Sequence, residues 1–411
     1  ARMLTQRHAG LEIVGVLVER RDELVVVTQD PDGKRLRFGF EFEAEPPHRV
    51  VSMSVDADDS GGRGPELPAF QLPPDADDTA IVAALRTWFD TLAERELFSG
   101  TALVAWRGQA LFSGAWGLAS REWNVPNRID TRFDLGSINK SFTQIAIGQL
   151  ASAGKLALDD TIADHLPDYP NGDVARKVTI RHLLDHTSGL GDIFTDDYSR
   201  SSKALYRGPA DFFPLFASAP LQFEPGTRSA YSNAGYMVLG AIIEAASGET
   251  YDAYVVRHLF QPAGMAASGF FAKDEPVPNV AVGYTRHAPD GTGVLRNNLF
   301  RLPIRGNSAG SAQSTVEDLL RFDNALREHR LLSPAWTRWY FGGDEPSTSE
   351  TQLSERAMAA SGIAGGAPGV SAVLESDGDL AVIVLANGDP PITESIARAL
   401  FRPLGGALAG R

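Results

Sequence analysis

The stretch Phe133-Asp134-Leu135-Gly136-Ser137-Ile138-Asn139-Lys140-Ser141-Phe142-Thr143 is the point around which the rest of the chain is organised. Gly136 is expected to break the extended segment before it, and apolar residues then recur at helical spacing as far as Gly154. Ser137 would therefore open a helix, with Lys140 one turn later on the same face. A serine becomes a nucleophile when a base takes its proton, and a buried lysine with a lowered pKa can be that base.

The Ser-x-x-Lys pattern is weak by itself, because both residues are common. A capping serine followed by an exposed lysine is the more frequent reason for such a pattern. A second copy, Ser152-Ala153-Gly154-Lys155, straddles the predicted helix end, so its serine and lysine would not share a face. We interpret the second copy as a helix C-cap. The case for the first copy depends on motifs further along the chain.

The composition of the 411 residues excludes several classes of function. The formal net charge of −14 argues against a nucleic-acid partner and against an anionic membrane surface. The absence of cysteine removes disulfides, thiolate metal sites and cysteine nucleophiles, and it leaves the redox compartment open. No apolar run reaches the ~18 residues of a membrane span. The chain begins at Ala1, as a processed or trimmed product would, so periplasmic, secreted and cytoplasmic locations all stay open.

The predicted elements divide the chain into three parts. Residues 1–56 are rich in valine and phenylalanine and predict a small antiparallel β meander. Residues 57–78 collect aspartate, glycine and proline, as linkers do. Strands are predicted near both ends of residues 79–411, with helices between them, which indicates an α+β fold with one antiparallel sheet closed by distant segments and flanked by helices. Within this part, residues 79–155 and 300–411 would form an α/β region, and residues 156–299 a mainly helical region.

Hydrophobic spacing marks individual elements within residues 79–411. The helices are expected over 79–96, 236–246, 316–326 and 393–401, and the strands over 101–106, 110–114, 370–375 and 380–385. Ser314-x-x-Glu317 matches a capping box and would open the third of these helices.

A second candidate element is Tyr231-Ser232-Asn233, which directly precedes an apolar helix. A tyrosine oxygen can relay a proton between a lysine, a serine and a leaving group. An asparagine amide can donate to a substrate carbonyl and hold the lysine. This pattern is also weak alone, since Tyr231 could be a packing aromatic and Tyr169-Pro170-Asn171 repeats the pattern in a predicted turn.

A third candidate element is the glycine-rich run from Ser361 to Gly369, which enters the last predicted hairpin. Gly365 and Gly366 would allow a substrate to approach the backbone closely. The N–H of Gly366 is a candidate oxyanion donor beside the N–H of Ser137. A flexible loop is the plainer explanation of the same residues.

Taken together, five segments occur in a recognisable order. They are Gly136-Ser137-x-x-Lys140-Ser-Phe-Thr, Leu183-Leu-Asp-His186-Thr-Ser-Gly-Leu190, Phe223-Glu-Pro-Gly226 with Tyr231-Ser-Asn233, Ser314-Thr-Val-Glu-Asp-Leu319, and Gly365-Gly-Ala-Pro-Gly369. Over about residues 79–390 the chain resembles the serine β-lactamase-related family, which contains class C β-lactamases, D-stereospecific peptidases and family VIII carboxylesterases. The resemblance implies a β-lactamase/DD-peptidase-like fold and an acyl-enzyme mechanism. Ser137 would match the nucleophile, Lys140 its base partner and Tyr231 the second base, while residues 1–56 lie outside the match.

One position departs from the family pattern. Where relatives usually carry lysine, histidine or tryptophan in the third motif, this chain has Ile363. An isoleucine cannot contact a substrate carboxylate, so the departure weakens the β-lactamase and carboxypeptidase interpretations. An ester with an apolar or neutral acyl group fits better, and the same departure is compatible with a catalytically weak homologue.

Three other patterns resemble functional motifs but are not expected to take part in catalysis or metal binding. Gly306-Asn307-Ser308-Ala309-Gly310 matches a Gly-x-Ser-x-Gly elbow, but no helix follows it directly, so Ser308 is disfavoured as the nucleophile. His186 is expected to orient a loop near the site rather than to act as a base. His182 and His186 have the spacing of a metal pair but lack the intervening glutamate of zincins, so no metal or other cofactor is expected.

Three hypotheses remain from the sequence. The first is a serine hydrolase acting on small carboxylic esters, with Ser137, Lys140 and Tyr231 as catalytic residues and Asn233, Gly365 and Gly366 binding the substrate or the oxyanion. The second is a β-lactamase or D-amino-acid peptidase of the same family. The third is a non-catalytic ligand-binding relative. The expected partner is a small ester or amide, without nucleic acid or a membrane span, and the sequence leaves the oligomeric state open.

Overall fold

The computed structural model describes residues 12–19, 23–29, 35–42, 50–57, 67–73, 75–287, 292–346 and 361–409. The chain divides into two compact units, residues 1–66 and residues 67–411. In the first unit, four strands pair antiparallel in sequence order, as the predicted meander requires. These strands are Glu12–Glu19 (β1), Glu23–Gln29 (β2), Arg35–Phe42 (β3) and Val50–Ala57 (β4).

The second unit contains eleven further strands among the described residues. They are Gly100–Trp106 (β5), Gln109–Trp116 (β6), Leu118–Ser120 (β7), Val125–Pro126 (β8), Phe133–Asp134 (β9), Tyr284–Thr285 (β10), Arg296–Asn297 (β11), Gln313–Ser314 (β12), Ser361–Ala367 (β13), Val370–Ser376 (β14) and Leu380–Ala386 (β15). The main sheet has the strand order β13-β14-β15-β5-β6 and is antiparallel throughout. Because β15 pairs directly with β5, the two ends of this unit close one sheet, which confirms the predicted topology.

Helices and helical turns precede, separate and follow the strands of this unit. The α-helices are Asp78–Glu94 (α1), Asn139–Ser152 (α2), Ile162–His165 (α3), Gly172–Lys177 (α4), Ile180–Leu184 (α5), Asp196–Arg200 (α6), Asn233–Ser247 (α7), Tyr251–Val255 (α8), Gln261–Ala263 (α9), Val316–Arg327 (α10), Pro334–Tyr340 (α11) and Ile392–Leu408 (α12). Gly136–Ile138, Lys203–Leu205 and Pro209–Leu215 form 3₁₀ turns, and Val256–Phe260 forms a π turn. No helix within the described residues has both the length and the apolar character needed to cross a membrane.

Two predicted boundaries are corrected by the structure. Helix α10 is capped by Thr315, whose hydroxyl accepts a hydrogen bond from Asp318 N at 3.2 Å, so the predicted Ser314 cap is wrong by one residue. Ser314 instead ends strand β12. Helix α12 continues to Leu408, past the predicted end near Phe401. The helix persists beyond Pro403 because its last turns bury Leu404 and Leu408.

The main sheet separates two hydrophobic cores. Side chains along a strand point alternately to opposite faces, so neighbouring residues of the central strands enter different cores. Leu103 and Ile383 pack on the side of helix α2, whereas Val104 and Val382 pack on the side of α1 and α12. Helix α2, which follows Ser137, therefore packs into the hydrophobic core on one face of the sheet.

Part of the predicted linker packs against the larger unit. The Trp88 indole N–H donates to the carbonyl of Pro68 at 2.8 Å, and the Phe70 ring meets Trp88 edge to face at a centroid distance of 5.7 Å. Residues 67–73 thus belong to the packing of helix α1, although their composition is typical of a linker.

Phe89 is the centre of the aromatic cluster beneath α1. Its ring is fully buried and stacks on Trp116 at a centroid distance of 4.6 Å. We expect Phe89→Ala to lower the free energy of unfolding of the larger unit by about 3–5 kcal/mol, because the removed ring leaves a cavity and several neighbouring rings lose their packing contacts. Chemical denaturation measures this loss, with Thr87→Ala on the exposed face of the same helix as the control, expected within about 0.5 kcal/mol of the parent. Equal effects of the two variants would contradict the packing described here.

Candidate active site

Ser137 lies in the 3₁₀ turn Gly136–Ile138, which runs directly into helix α2. Gly136 has φ of 49°, and a Cβ there would lie 2.9 Å from Gly366 N, so a glycine is needed on both counts. The Gly136 N–H donates to the Asp134 carboxylate at 2.8 Å. The helix start carries no side-chain cap, so the interpretation of Ser137 as a capping serine is wrong. Its hydroxyl is instead engaged by Lys140 and Tyr231.

Two side chains meet at the Ser137 hydroxyl, Lys140 from the next helical turn and Tyr231 from 94 residues further along the chain. Ser137 Oγ lies 2.7 Å from the Tyr231 hydroxyl and 3.3 Å from Lys140 Nζ. Lys140 is buried, with only 8% of its surface exposed, so the alternative of an exposed lysine is also wrong. A serine, a lysine and a tyrosine within hydrogen-bonding distance form a connected path for a proton.

The surroundings of Lys140 make the neutral amine available near pH 7. Burial lowers the pKa of Lys140 to about 7, although the nearby Asp192 carboxylate acts in the opposite direction. Its Nζ donates to Asn233 Oδ1 at 2.8 Å and to the Ala309 carbonyl at 2.7 Å, and both of these atoms are acceptors only. A neutral amine has two N–H groups, which these acceptors satisfy. Its lone pair is then free to face the Ser137 hydroxyl.

Tyr231 reaches the site from the segment before helix α7. The residue as a whole is 56% exposed, but its hydroxyl contacts Ser137, and the Lys140 amine lies 4.7 Å from the ring centroid. Burial of the hydroxyl end raises the pKa of Tyr231, an effect that the Ser137 hydrogen bond partly offsets. The phenol is therefore neutral at pH 7, so it can accept a hydrogen bond from one group while it donates its own proton to another.

Asn233 opens helix α7 and connects Lys140 to Asp192. Its Oδ1 accepts from Lys140, while its Nδ2 donates to the two Asp192 carboxylate oxygens at 3.2 and 3.0 Å. Both atoms of the amide are thus engaged by the protein. This arrangement favours the role of holding Lys140 over the role of contacting a substrate carbonyl. Sequence reasoning missed Asp192, and its position two residues after the His-Thr-Ser-Gly-Leu run was the one signal for it.

His186 supports the Tyr231 segment. Its Nδ1 accepts from Ser232 N at 3.2 Å, its carbonyl accepts from Ala230 N at 2.8 Å, and its ring lies 4.6 Å from the Tyr231 ring. Burial, together with the Lys140 charge, lowers the pKa of His186 to about 4, so its imidazole is neutral at pH 7. These contacts confirm the predicted loop-orienting role.

Ser308 and His182, which were not expected to be catalytic or to bind a metal, have structural roles. Ser308 is fully buried and its hydroxyl faces Met237 Sδ at 3.8 Å. The carbonyls of Asn307, Ser308 and Ala309 accept from side chains of helix α2, so this loop anchors the helix that carries Lys140. His182 accepts from Thr179 N as part of a helix cap. Among the described residues, no three His, Asp or Glu side chains form a group that could hold a metal.

The glycine-rich run is the edge strand β13 of the main sheet. An edge strand leaves alternate N–H groups without a partner in the sheet. A Cβ on Gly365 would lie 2.7 Å from Ser137 N and 2.0 Å from the Leu135 carbonyl, so this strand lies directly against the serine turn. Ile363, two residues earlier, is half-buried and packs against the core on the α2 side.

An antiparallel sheet flanked by helices, with Ser137, Lys140 and Tyr231 together beside its edge strand, is the arrangement that the resemblance to the serine β-lactamase-related family predicts. The chain belongs to the Beta-lactamase family, whose model matches residues 85–406. The resemblance and the α+β fold inferred from the sequence are therefore confirmed.

Known proteins of several kinds are similar to this chain. It is 33% identical over 263 residues to penicillin-binding protein 4* of Bacillus subtilis, covering 61% of this chain and 57% of that protein. It is 37% identical over 222 residues to esterase EstB of Burkholderia gladioli, covering 50% and 55%. The solved structure of a penicillin binding protein from Bacillus halodurans aligns with a TM-score of 0.65 at 34% identity, covering 76% of this chain and 98% of that one. The chain thus spans little more than half the length of these curated relatives.

Proposed function

We propose that this protein is a serine hydrolase that forms an acyl-enzyme at Ser137 and acts on small carboxylic esters. The observation that carries the proposal is the position of the Ser137 hydroxyl, 2.7 Å from the Tyr231 hydroxyl and 3.3 Å from Lys140 Nζ. A hydroxyl held between a neutral amine and a neutral phenol can lose its proton as it attacks a carbonyl. A non-catalytic relative would have no need of this arrangement.

In the proposed reaction, the Ser137 oxygen attacks the ester carbonyl and its proton passes to the neutral Lys140 amine. The Tyr231 hydroxyl, which contacts the same oxygen, relays protons by accepting one as it gives up its own. The N–H groups of Ser137 and Gly366 stabilise the oxyanion, since β13 lies against the serine turn. The alcohol leaves with a proton delivered through Tyr231, and the acyl group remains on Ser137. Water then attacks the acyl-enzyme, with the same groups acting as the base, and releases the acid.

Two features favour an ester with an apolar acyl group. Ile363 replaces the polar or aromatic residue expected at its position, so this residue offers no charge for a substrate carboxylate. Phe194 and Phe300 are 55% and 87% exposed. Their segments meet at Tyr198, whose ring lies 5.2 Å from the Phe194 ring and whose hydroxyl donates to the Arg301 carbonyl at 3.1 Å. The Phe194 backbone N–H also donates to Asp192, so this exposed ring belongs to the loop beside the site. Exposed apolar side chains next to a polar site are typical of ligand-binding surfaces.

The second candidate is a β-lactamase or D-amino-acid peptidase, which the similarity to penicillin-binding proteins supports.

Intact-protein mass spectrometry after exposure to a p-nitrophenyl ester is expected to give one acyl adduct, on the peptide that contains Ser137. Ser137→Ala should give none, and Ser308→Ala should still acylate. Turnover of nitrocefin or D-alanyl peptides above that of the ester would favour the second candidate. No adduct with any of these substrates would contradict a catalytic role.

The pH dependence of ester hydrolysis follows from Lys140. Its pKa lies at about 7, and the neutral amine is the form that takes the serine proton. We expect kcat/KM to rise about tenfold per pH unit below this value and to level off above it, because protonation removes the base. Measuring kcat/KM at a series of pH values with an uncharged ester gives this acid limb of the pH profile. If kcat/KM reached half of its plateau value near pH 4, a carboxylate or His186 would control the reaction instead.

A further inference from the structure

Asp192 is a carboxylate beside the reacting groups that the proposed reaction does not use directly. It lies in the loop between helices α5 and α6. Its Oδ1 accepts from the backbone N–H groups of Ile193 and Phe194 at 2.7 and 3.2 Å, which shapes its own loop. Its Oδ2 accepts from the backbone N–H of Asn233 at 3.3 Å, and both oxygens contact the Asn233 side-chain amide. One carboxylate therefore joins two separate segments of the site.

These contacts fix which way the Asn233 amide points. A carboxylate only accepts hydrogen bonds, so it selects the NH₂ group of the amide and turns the amide oxygen away. That oxygen faces Lys140 Nζ at 2.8 Å. The flipped amide would place an oxygen against the carboxylate and an NH₂ group against the amine. Lys140 would then lose one of the two acceptors that hold it opposite Ser137.

We propose that Asp192 is a positioning residue for proton transfer at Ser137, acting through the Asn233 amide on the Lys140 amine. This inference rests on the proposed function of Ser137 and Lys140. The chain of contacts runs from Asp192 to Asn233, from Asn233 to Lys140, and from Lys140 to the Ser137 hydroxyl. Asp192 itself does not touch the nucleophile, so its removal should impair turnover without removing the acylation site.

The charge of Asp192 has a second, separable consequence. The titratable groups that face Lys140 are Asp192, His186, Tyr231 and Tyr236, from the loop after α5, the segment before α7 and helix α7 itself. His186 is neutral at pH 7, and both tyrosines have raised pKa values, so they are neutral as well. Among the described residues, Asp192 is thus the charge that supports protonation of the buried Lys140.

The test compares Asp192→Asn with Asp192→Glu and with Asp197→Asn, which removes an exposed carboxylate from the neighbouring helix. Asp192→Asn should lower kcat at high pH about 10- to 100-fold, because the amine loses its fixed position. It should also move the acid limb of kcat/KM to lower pH by roughly one unit, because a buried amine without its counter-charge loses its proton sooner. Asp192→Glu should restore part of the rate, and Asp197→Asn should leave both quantities unchanged.

A readout independent of turnover is available because the chain has only six lysines. With ¹³C at the lysine ε-carbons, the Lys140 signal can be assigned by its loss in Lys140→Met and titrated directly. Asp192→Asn should lower its midpoint, whereas Asp197→Asn should not. If Asp192→Asn changed neither the midpoint of the Lys140 titration nor kcat at high pH, Asp192 would only stabilise its own loop, and the inference would be overturned. A shifted midpoint in a protein that hydrolyses no ester would refute the proposed function while the positioning of Lys140 stands.

A double-mutant cycle tests the route through Asn233. If Asp192 acts through the Asn233 amide, Asp192→Asn and Asn233→Ala should each lower the plateau rate, and the double variant should be little worse than either one. Rate losses that multiply would show that Asp192 acts by another path and would contradict the proposed chain. Circular dichroism of each variant excludes unfolding as the cause of a loss.

Discussion

Replacing Lys140 by methionine is expected to lower kcat for an activated ester by about 10²–10⁴-fold while leaving the protein folded. Methionine has a similar length and no charge, so it can fill the buried space beneath Tyr231 and Tyr236 without a proton-accepting group. The hydrogen bonds to Asn233 and the Ala309 carbonyl are lost, but no charge is left buried without a partner. Steady-state hydrolysis and thermal denaturation, measured on the same sample, separate the two effects.

The chain provides its own control for this substitution. Lys155 belongs to the second Ser-x-x-Lys copy, Ser152 to Lys155, and it is exposed beyond the end of helix α2, next to Gly154 with its φ of 67°. Lys155→Met should therefore leave the rate unchanged. If Lys140→Met retained full activity, or if Lys155→Met lost as much, the assignment of Lys140 as the base partner would be wrong. A large loss of stability in Lys140→Met would make packing, rather than proton transfer, its role.

The parts of this fold that were predictable are those encoded by local patterns. Short apolar runs marked β5, β14 and β15, and their positions at opposite ends of the unit implied that they belong to one sheet. Helical spacing marked α1 and α7. Prediction was less accurate where two rules compete, as at Pro403, because proline favours a helix end while burial of Leu404 and Leu408 favours continuation.

The candidate site was predictable only where its chemistry resides in side chains with characteristic spacing. Ser137 and Lys140 share one helix turn, so their contact could be expected, and the order of motifs brought Tyr231 to the same place. The Ala309 carbonyl could not be found in this way, because every residue has a carbonyl and only the folded loop selects one. Asp192 was missed for a related reason: its partner, Asn233, lies 41 residues away, and no local pattern connects them.

A second large effect is expected from one methyl group on the edge strand β13. In Gly365→Ala, the new Cβ would lie 2.0 Å from the Leu135 carbonyl oxygen and 2.7 Å from Ser137 N. Both are backbone atoms that cannot rotate away, so the strand and the serine turn must move apart. Because the N–H groups proposed to hold the oxyanion come from these two segments, we expect kcat to fall about 10²–10³-fold.

Gly362 is the matched control for this substitution, since it lies on the same strand and a Cβ there would meet nothing within 4 Å. Gly362→Ala should therefore hydrolyse esters at the parent rate. Phosphonylation of Ser137 by a fluorophosphonate, with loss of fluoride, provides a further distinction, because the phosphoryl oxygen needs the same N–H donors. Labelling of Gly365→Ala should be slow, and labelling of Gly362→Ala should be normal. Parent rates in Gly365→Ala would mean that β13 contributes no donor to the transition state. The oxyanion site would then have to be sought on another segment near Ser137.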